Sequence, residues 1–138
     1  MITELKPYLF FYGRCQEALQ FYKSVFSGDY EAMRVNDTPP NVQEHMPPGG
    51  GDAVMHASFT SDAVRFYASD GVQRKLIDPE AGNVSLAINF DDGAQAERIF
   101  AALSEHGKVQ MPVGPAFWGG RFANVIDKFG TEWVMTLP

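Results

Sequence analysis

The 138-residue chain runs twice through the same order of elements: a strand, a helix and three more strands. That repetition restricts its fold more than any single motif does. Tyr8-Leu9-Phe10-Phe11-Tyr12 is a short apolar, aromatic run that reads as a buried strand, and Gly13-Arg14 breaks it. A helix follows, with Cys15, Ala18, Leu19, Tyr22, Val25 and Phe26 three or four apart along one face and Gly28 as its left-handed stop. Tyr30–Val35 reads as a second strand. Val54–Phe59 and Ala63–Ala68 read as a hairpin across Thr60-Ser61-Asp62.

The second pass begins with Val84–Phe90, where Val84, Leu86, Ile88 and Phe90 alternate. Asp91-Asp92 supplies a cap for a helix whose apolar face is Ala96, Ile99, Phe100 and Leu103, ended by Gly107. Val109–Val113 is a strand, and Arg121–Ile126 with Glu132–Leu137 form a last hairpin. The two stop glycines stand 107 − 28 = 79 positions apart. The expectation is an internal duplication within one domain over 1–138, module one being 1–78 and module two 79–138. Module one carries an insertion, Asn36–Asp52, with four prolines and three consecutive glycines; it cannot be helix or strand throughout and is either a lid or a connector.

Composition narrows the function classes. A formal net charge of −6 and a pI near 4.9 argue against a nucleic-acid surface. No stretch has the length and apolarity of a membrane span. The N-terminus lacks a secretory pattern, and the single Cys15 cannot form an intrachain disulfide, so a cytoplasmic location is expected.

Three stretches carry a resemblance over essentially the whole chain. They are PYLFFYGRCQEALQFYKSVFSG, MHASF at Met55–Phe59, and the closing FWGGRFANVIDKFGTEWVMTLP, with Phe117-Trp118 and then Asp127-x-Phe129-Gly130-x-x-Trp133. Together they resemble PhnB-like proteins of the vicinal oxygen chelate superfamily, which includes glyoxalase I, extradiol dioxygenases and the bleomycin and fosfomycin resistance proteins. The resemblance implies an α+β fold of paired βαβββ modules, with sheets curved into a shared, cup-shaped cavity, and a homodimer, in some members formed by exchanging modules. Some relatives carry the label 3-demethylubiquinone-9 3-methyltransferase. The sequence has no Gly-rich strand-to-helix loop of the kind methyltransferases use for their cofactor.

Metal-dependent members place His or Glu ligands on cavity-facing strands. Fitted to that pattern, this chain has Pro7, then Phe66 or Tyr67, then Ser85 and Val134. Divalent metals in such a setting need about three imidazole or carboxylate donors, so no metal and no cofactor is expected. Of the three histidines, His56 in the module-one hairpin is the best candidate for ligand contact or proton transfer. His45 falls in the Pro/Gly loop, and His106 sits at a helix C-terminus where its charged form meets the dipole favourably.

Cys15 opens a helix beside Arg14, two features that lower a thiol pKa, although its place fits the buried helix face. Asp70 is either a polar ligand contact or a turn residue. Arg121 either pairs with an anionic ligand or forms a surface ion pair. Tyr8, Phe10, Phe66, Trp118 and Trp133 are the aromatics expected to line a cavity, with core packing as the alternative for each. The expected function is a small-molecule-binding protein with its ligand in an aromatic-lined cavity. The alternatives are a metal-dependent glyoxalase- or dioxygenase-type enzyme and a metal-free acid/base enzyme using His56.

Overall fold

A computed structural model describes residues 1–43, 50–71, 77–78 and 82–138, in two compact units, Met1–Leu76 and Ile77–Pro138. His45 and the middle of the 36–52 insertion lie outside the described residues. The first unit contains β1 (Tyr8–Phe10), α1 (Cys15–Phe26), β2 (Asp29–Arg34), α2 (Pro40–Gln43), β3 (Val54–Ser61) and β4 (Val64–Ser69). The second contains β5 (Leu86–Asn89), α3 (Gly93–Ser104), β6 (Lys108–Pro115), β7 (Arg121–Ile126) and β8 (Glu132–Leu137). Each unit is an α+β module with its own four-stranded mixed sheet, in the orders β1-β4-β3-β2 and β5-β8-β7-β6. In both sheets the first strand runs parallel to the last, β1 to β4 and β5 to β8, and the remaining pairs are antiparallel.

The helix of each module covers one sheet face. Cys15, Ala18, Leu19, Tyr22, Val25 and Phe26 are all buried, as the three-and-four spacing requires. They meet Ala57, Phe59, Phe66 and Ala68 on the sheet. Tyr22 stands edge-on to Phe66 with centroids 5.6 Å apart, and Phe66 stacks on Phe59 at 4.9 Å. Each such buried ring contributes roughly 2–3 kcal/mol through the apolar area it removes from water. In module two, α3 buries Ala96, Ile99 and Leu103, and the buried sheet residues are Ala123, Val125, Ile126, Trp133, Met135 and Leu137. Phe100 is half-buried. Asp92 caps α3, its Oδ1 accepting from the N–H groups of Ala94 and Gln95 at 3.0 and 3.2 Å.

Several boundaries differ from expectation. The hairpin loop of module one is shorter than expected: Ser61 pairs with Val64, leaving only Asp62 and Ala63 outside the strands, with Asp62 at φ 42°. β5 begins at Leu86, and Val84 is exposed ahead of it. The stop glycines work differently from a left-handed cap. The positive φ falls one residue earlier, on Ser27 (56°) and His106 (58°). Gly28 and Gly107 are needed because the chain passes against the sheet there. A Cβ on Gly28 would lie 2.6 Å from the Thr60 carbonyl oxygen, and one on Gly107 would lie 2.4 Å from that of Ile126.

The start of the inserted loop is pinned. The Val35 N–H donates to the Ala53 carbonyl at 3.0 Å, and the Arg34 guanidinium donates to the Asp52 carbonyl and to Gln16 Oε1. Its described ends are a turn of 3-10 helix at Val35–Asp37, α2, and another such turn at Gly50–Asp52.

Candidate functional site

Strand register assembles the candidate site on the face of the module-one sheet that α1 leaves open. Phe59 opposes Phe66 and both point toward the helix, so their sequence neighbours point away from it. Tyr8 pairs with Tyr67, and Tyr67 with Ser58, which in turn pairs with Glu31; these four form one row across the sheet. Phe10 pairs with Ser69, and His56 pairs with Met33, in the next row.

Four rings gather at the β1 side of this face. Tyr8 stacks on Phe10 with centroids 4.9 Å apart. Tyr67 lies 6.0 Å from Tyr8 and 5.1 Å from the His56 ring. The Tyr8 hydroxyl is 3.0 Å from His56 Nδ1 and donates to it in the Nε2–H tautomer. The Lys6 ammonium lies 4.6 Å from the centroid of the Tyr67 ring. Tyr8 and Phe10 keep 38% and 45% of their surface exposed, and His56 is also exposed. The expected buried strand therefore has an open aromatic face, and only Leu9 of β1 points toward the helix side. Toward β2 the same face turns polar, where Asp29, Glu31, Ser58 and Thr60 line a shallow depression that Tyr30 also borders, although the Tyr30 hydroxyl turns to the helix side and accepts from Gln16 and Gln20. The Asp29 carboxyl is held below the usual carboxylate range, first by the Tyr30 N–H and then by the Lys23 ammonium.

The sequence candidates separate on this framework. Tyr8, Phe10 and His56 come together. Phe66 does not join them: it is buried beneath α1, because alternation turns it the opposite way from Tyr67. Trp133 is likewise a core residue, 1% exposed, with its indole N–H donating to Asp127 Oδ2 at 2.8 Å. Asp70 is fully used by the backbone. Its Oδ1 accepts from the N–H groups of Gly13 (2.7 Å) and Cys15 (2.9 Å), and its Oδ2 from Val54 (2.8 Å). Arg121 pairs with Glu97 at 2.7 Å and donates to the Pro138 carbonyl. Trp118 is exposed in the β6–β7 turn, edge-on to both Phe117 and Phe122. His106 is exposed, 3.8 Å from Glu105.

The closing motif that looks most like a signature is architectural. Asp127 Oδ1 accepts from the N–H groups of Phe129 and Thr131, and together with the bond from Trp133 this fixes the turn between β7 and β8. Cys15 is a core residue too, wholly buried under the sheet-facing side of α1. Burial, and then the negative charge of Asp70, push its thiol well above the ordinary range. Lys6 is the site member that the sequence reading passed over, and Tyr67 was named there only at a metal-ligand position, not among the cavity aromatics. The signal for Tyr67 was available, because a tight hairpin fixes the register that places it two positions along the open face from His56.

The same positions decide what the site can hold. Among the described residues no three His, Cys, Asp or Glu side chains gather as a metal-ligand group. Pro7, Tyr67, Ser85 and Val134, where the resemblance puts ligands, do not supply the donor chemistry of a divalent metal site. In module two, Glu132 accepts from the Ser85 hydroxyl and from Gln110, which also donates to Asn124. No described helix is long and apolar enough to cross a membrane.

The family model described as 3-demethylubiquinone-9 3-methyltransferase matches residues 3–136. The chain belongs to that family. Protein YjdN of Escherichia coli K12 is 27% identical over 96% of this chain and 94% of its own length. Protein PA1353 of Pseudomonas aeruginosa has a solved structure that superimposes with a TM-score of 0.78 at 34% identity, covering 99% of this chain and 98% of that one. A putative 3-demethylubiquinone-9 3-methyltransferase, a PhnB protein of Bacillus cereus, gives 0.78 at 27% identity over 99% and 100%. At the level of fold alone, a glyoxalase/bleomycin resistance protein/dioxygenase superfamily member of Sphaerobacter thermophilus gives 0.60 at 14% identity over 100% and 99%. The PhnB-like family and the glyoxalase/bleomycin resistance fold are thereby established for this chain. The methyl donor that the family's description implies does not fit its strand-to-helix turns. One turn has the single Gly13, whose N–H is taken by Asp70, and the other presents Asp91-Asp92.

Proposed function

We propose that this chain is a small-molecule-binding member of the PhnB-like family that takes a flat, partly apolar ligand on the aromatic face of module one. The supporting observation is the cluster of Tyr8, Phe10, His56 and Tyr67, left open on the sheet face away from the helix. Rings contribute most when buried, so a grouped and exposed set signals a surface that gains by being covered. The two tyrosine hydroxyls and the imidazole provide the few directional contacts that orient a ligand. On this reading the modules 1–78 and 79–138 act as a single domain, in a homodimer as the family resemblance suggests and in the cytoplasm, which the single Cys15 fits.

The test is a fragment screen by NMR with backbone assignments. Hits should perturb Tyr8, His56 and Tyr67, and the double substitution of Tyr8 and Tyr67 by Ser should weaken them about tenfold or more, with little change in melting temperature. Hits that map to module two alone, or that survive the double substitution, would remove the reading. One observation favours a second reading. The 3.0 Å contact between Tyr8 and His56 pairs a hydroxyl with a base, the arrangement of a metal-free acid/base enzyme. Turnover in a substrate screen that His56→Ala abolishes, with binding retained, would establish it over binding alone.

A further inference from the structure

We infer that the ligand carries an anionic group, a carboxylate, phenolate or enolate on a flat apolar body, seated at Lys6 beside Tyr67, with Glu4 as its built-in competitor. The inference rests on the proposed aromatic site and specifies what that site takes.

The ring cluster keeps donors for an anion. Lys6 lies against the Tyr67 ring, Tyr67 brings a hydroxyl, and His56, whose Nδ1 accepts from Tyr8, has its Nε2–H left to donate. Arg65 stands on the same face, two residues before Tyr67 on β4. The Lys6 side chain is only 17% exposed. A lysine packed so closely on an aromatic face has lost much of its hydration and gains from an anionic partner.

The chain provides one itself. Glu4 Oε1 stands 3.3 Å from Lys6 Nζ, on the segment before β1 that belongs to no strand or helix. Its carboxylate marks where an acidic group meets this lysine, and it leaves with little structural consequence. The other acids of the face, Asp29 and Glu31, lie on β2 at the opposite edge of the sheet. Three strand spacings, roughly 14 Å, separate β1 from β2, beyond the screening length of physiological salt. The face therefore has a cationic, aromatic side and an acidic side, and a flat acid binds in one orientation.

The experiment compares a naphthalene carboxylate with the matching naphthalene carboxamide. Both are titrated into the full-length chain and followed by chemical-shift changes at Tyr8, His56 and Tyr67. The carboxylate should bind about tenfold more tightly, the difference expected when a charge-assisted contact replaces a neutral one. Lys6→Met should erase the preference, Lys6→Arg should largely restore it, and Glu4→Gln should enlarge it. Added salt should reduce it. Equal affinity for the two probes, or a preference that survives Lys6→Met, overturns the anion assignment and leaves the aromatic site standing. Failure of both probes to perturb the three rings overturns the site and the assignment together.

Discussion

Module one and module two place different chemistry on one frame. The Phe11 and Phe90 N–H groups donate to the carbonyls of Ser69 and Thr136, each at 2.9 Å, which aligns the first strands and the last strands of the two sheets. Under that alignment Phe66 corresponds to Trp133, both buried under a helix, and Gly28 corresponds to Gly107, both against the end of the third strand. The open faces do not correspond. Where module one has Tyr8, Phe10 and Tyr67, module two has Ala87, Asn89 and Val134, and His56 is matched by Phe122. What repeats is what the fold needs; what does not repeat is what a ligand would need. Sixty minus twenty-eight positions separate Gly28 from Thr60 and nineteen separate Gly107 from Ile126 (60 − 28 = 32 against 126 − 107 = 19), so module one carries a net 13 extra residues between matched points, where the 36–52 insertion lies.

The largest predicted effects test whether each module depends on a buried carboxylate used by the backbone. Asp70 joins the β1–α1 turn to the start of β3, and Asp127 holds the β7–β8 turn and the Trp133 indole. They occupy different places in the two modules and do the same kind of job in each. Asp70→Ala and Asp127→Ala each remove a buried carboxylate that accepts from three N–H donors. The cost should be on the order of 3 kcal/mol or more, read as a fall in the denaturant midpoint. A loss below about 1 kcal/mol for either would show that the carboxylate there is dispensable.

Next in size are the matched glycines. Gly28→Ala and Gly107→Ala force a methyl group against backbone that cannot move aside, with a predicted cost of about 1–3 kcal/mol each. Gly114→Ala is the control, because a Cβ there meets nothing nearer than the Pro112 carbonyl oxygen at 3.7 Å. If the control is as damaging as the other two, close packing is not the reason for the pair.

Which parts of this were legible follows from what each kind of signal encodes. Helix faces were readable because burial on one side imposes a spacing, and all six positions of the expected α1 face are buried. The duplication was readable because the order of elements survives divergence. The open face was harder. Alternation says that Phe66 and Tyr67 point opposite ways, but with aromatics on both sides of β4 it does not say which side a helix covers. Trp133 resembled a cavity wall because its partner Asp127, six residues earlier, is brought to it only by the turn. Cys15 carried two opposed signals: a helix start and Arg14 are local cues to a reactive thiol, while the helix spacing pointed to burial, and burial next to Asp70 outweighs the local cues.

Cys15 also yields the smallest prediction. It is fully buried at the start of α1, whereas the matching first turn of α3, at Gly93 and Ala94, has no buried side chain, so Cys15→Ala tests a feature of module one that module two lacks. The folded chain holds the thiol proton more tightly than the unfolded chain does, because burial and Asp70 both disfavour the thiolate. Stability from this residue is therefore complete below the ordinary thiol range and is lost as pH rises through it. One unit above that range the loss is about 1.4 kcal/mol, the value of one proton over one pH unit. Other groups titrate in the same window, so the quantity to measure is the difference between wild type and Cys15→Ala in unfolding free energy, at neutral pH and again in mild alkali. The two proteins should differ by a fixed packing increment at neutral pH, and the wild type should lose ground to the variant as pH rises. A difference that stays constant across the range would mean that the thiol ionises as readily inside the fold as outside it, and that α1 holds its first buried residue far more loosely than its position beneath the sheet implies.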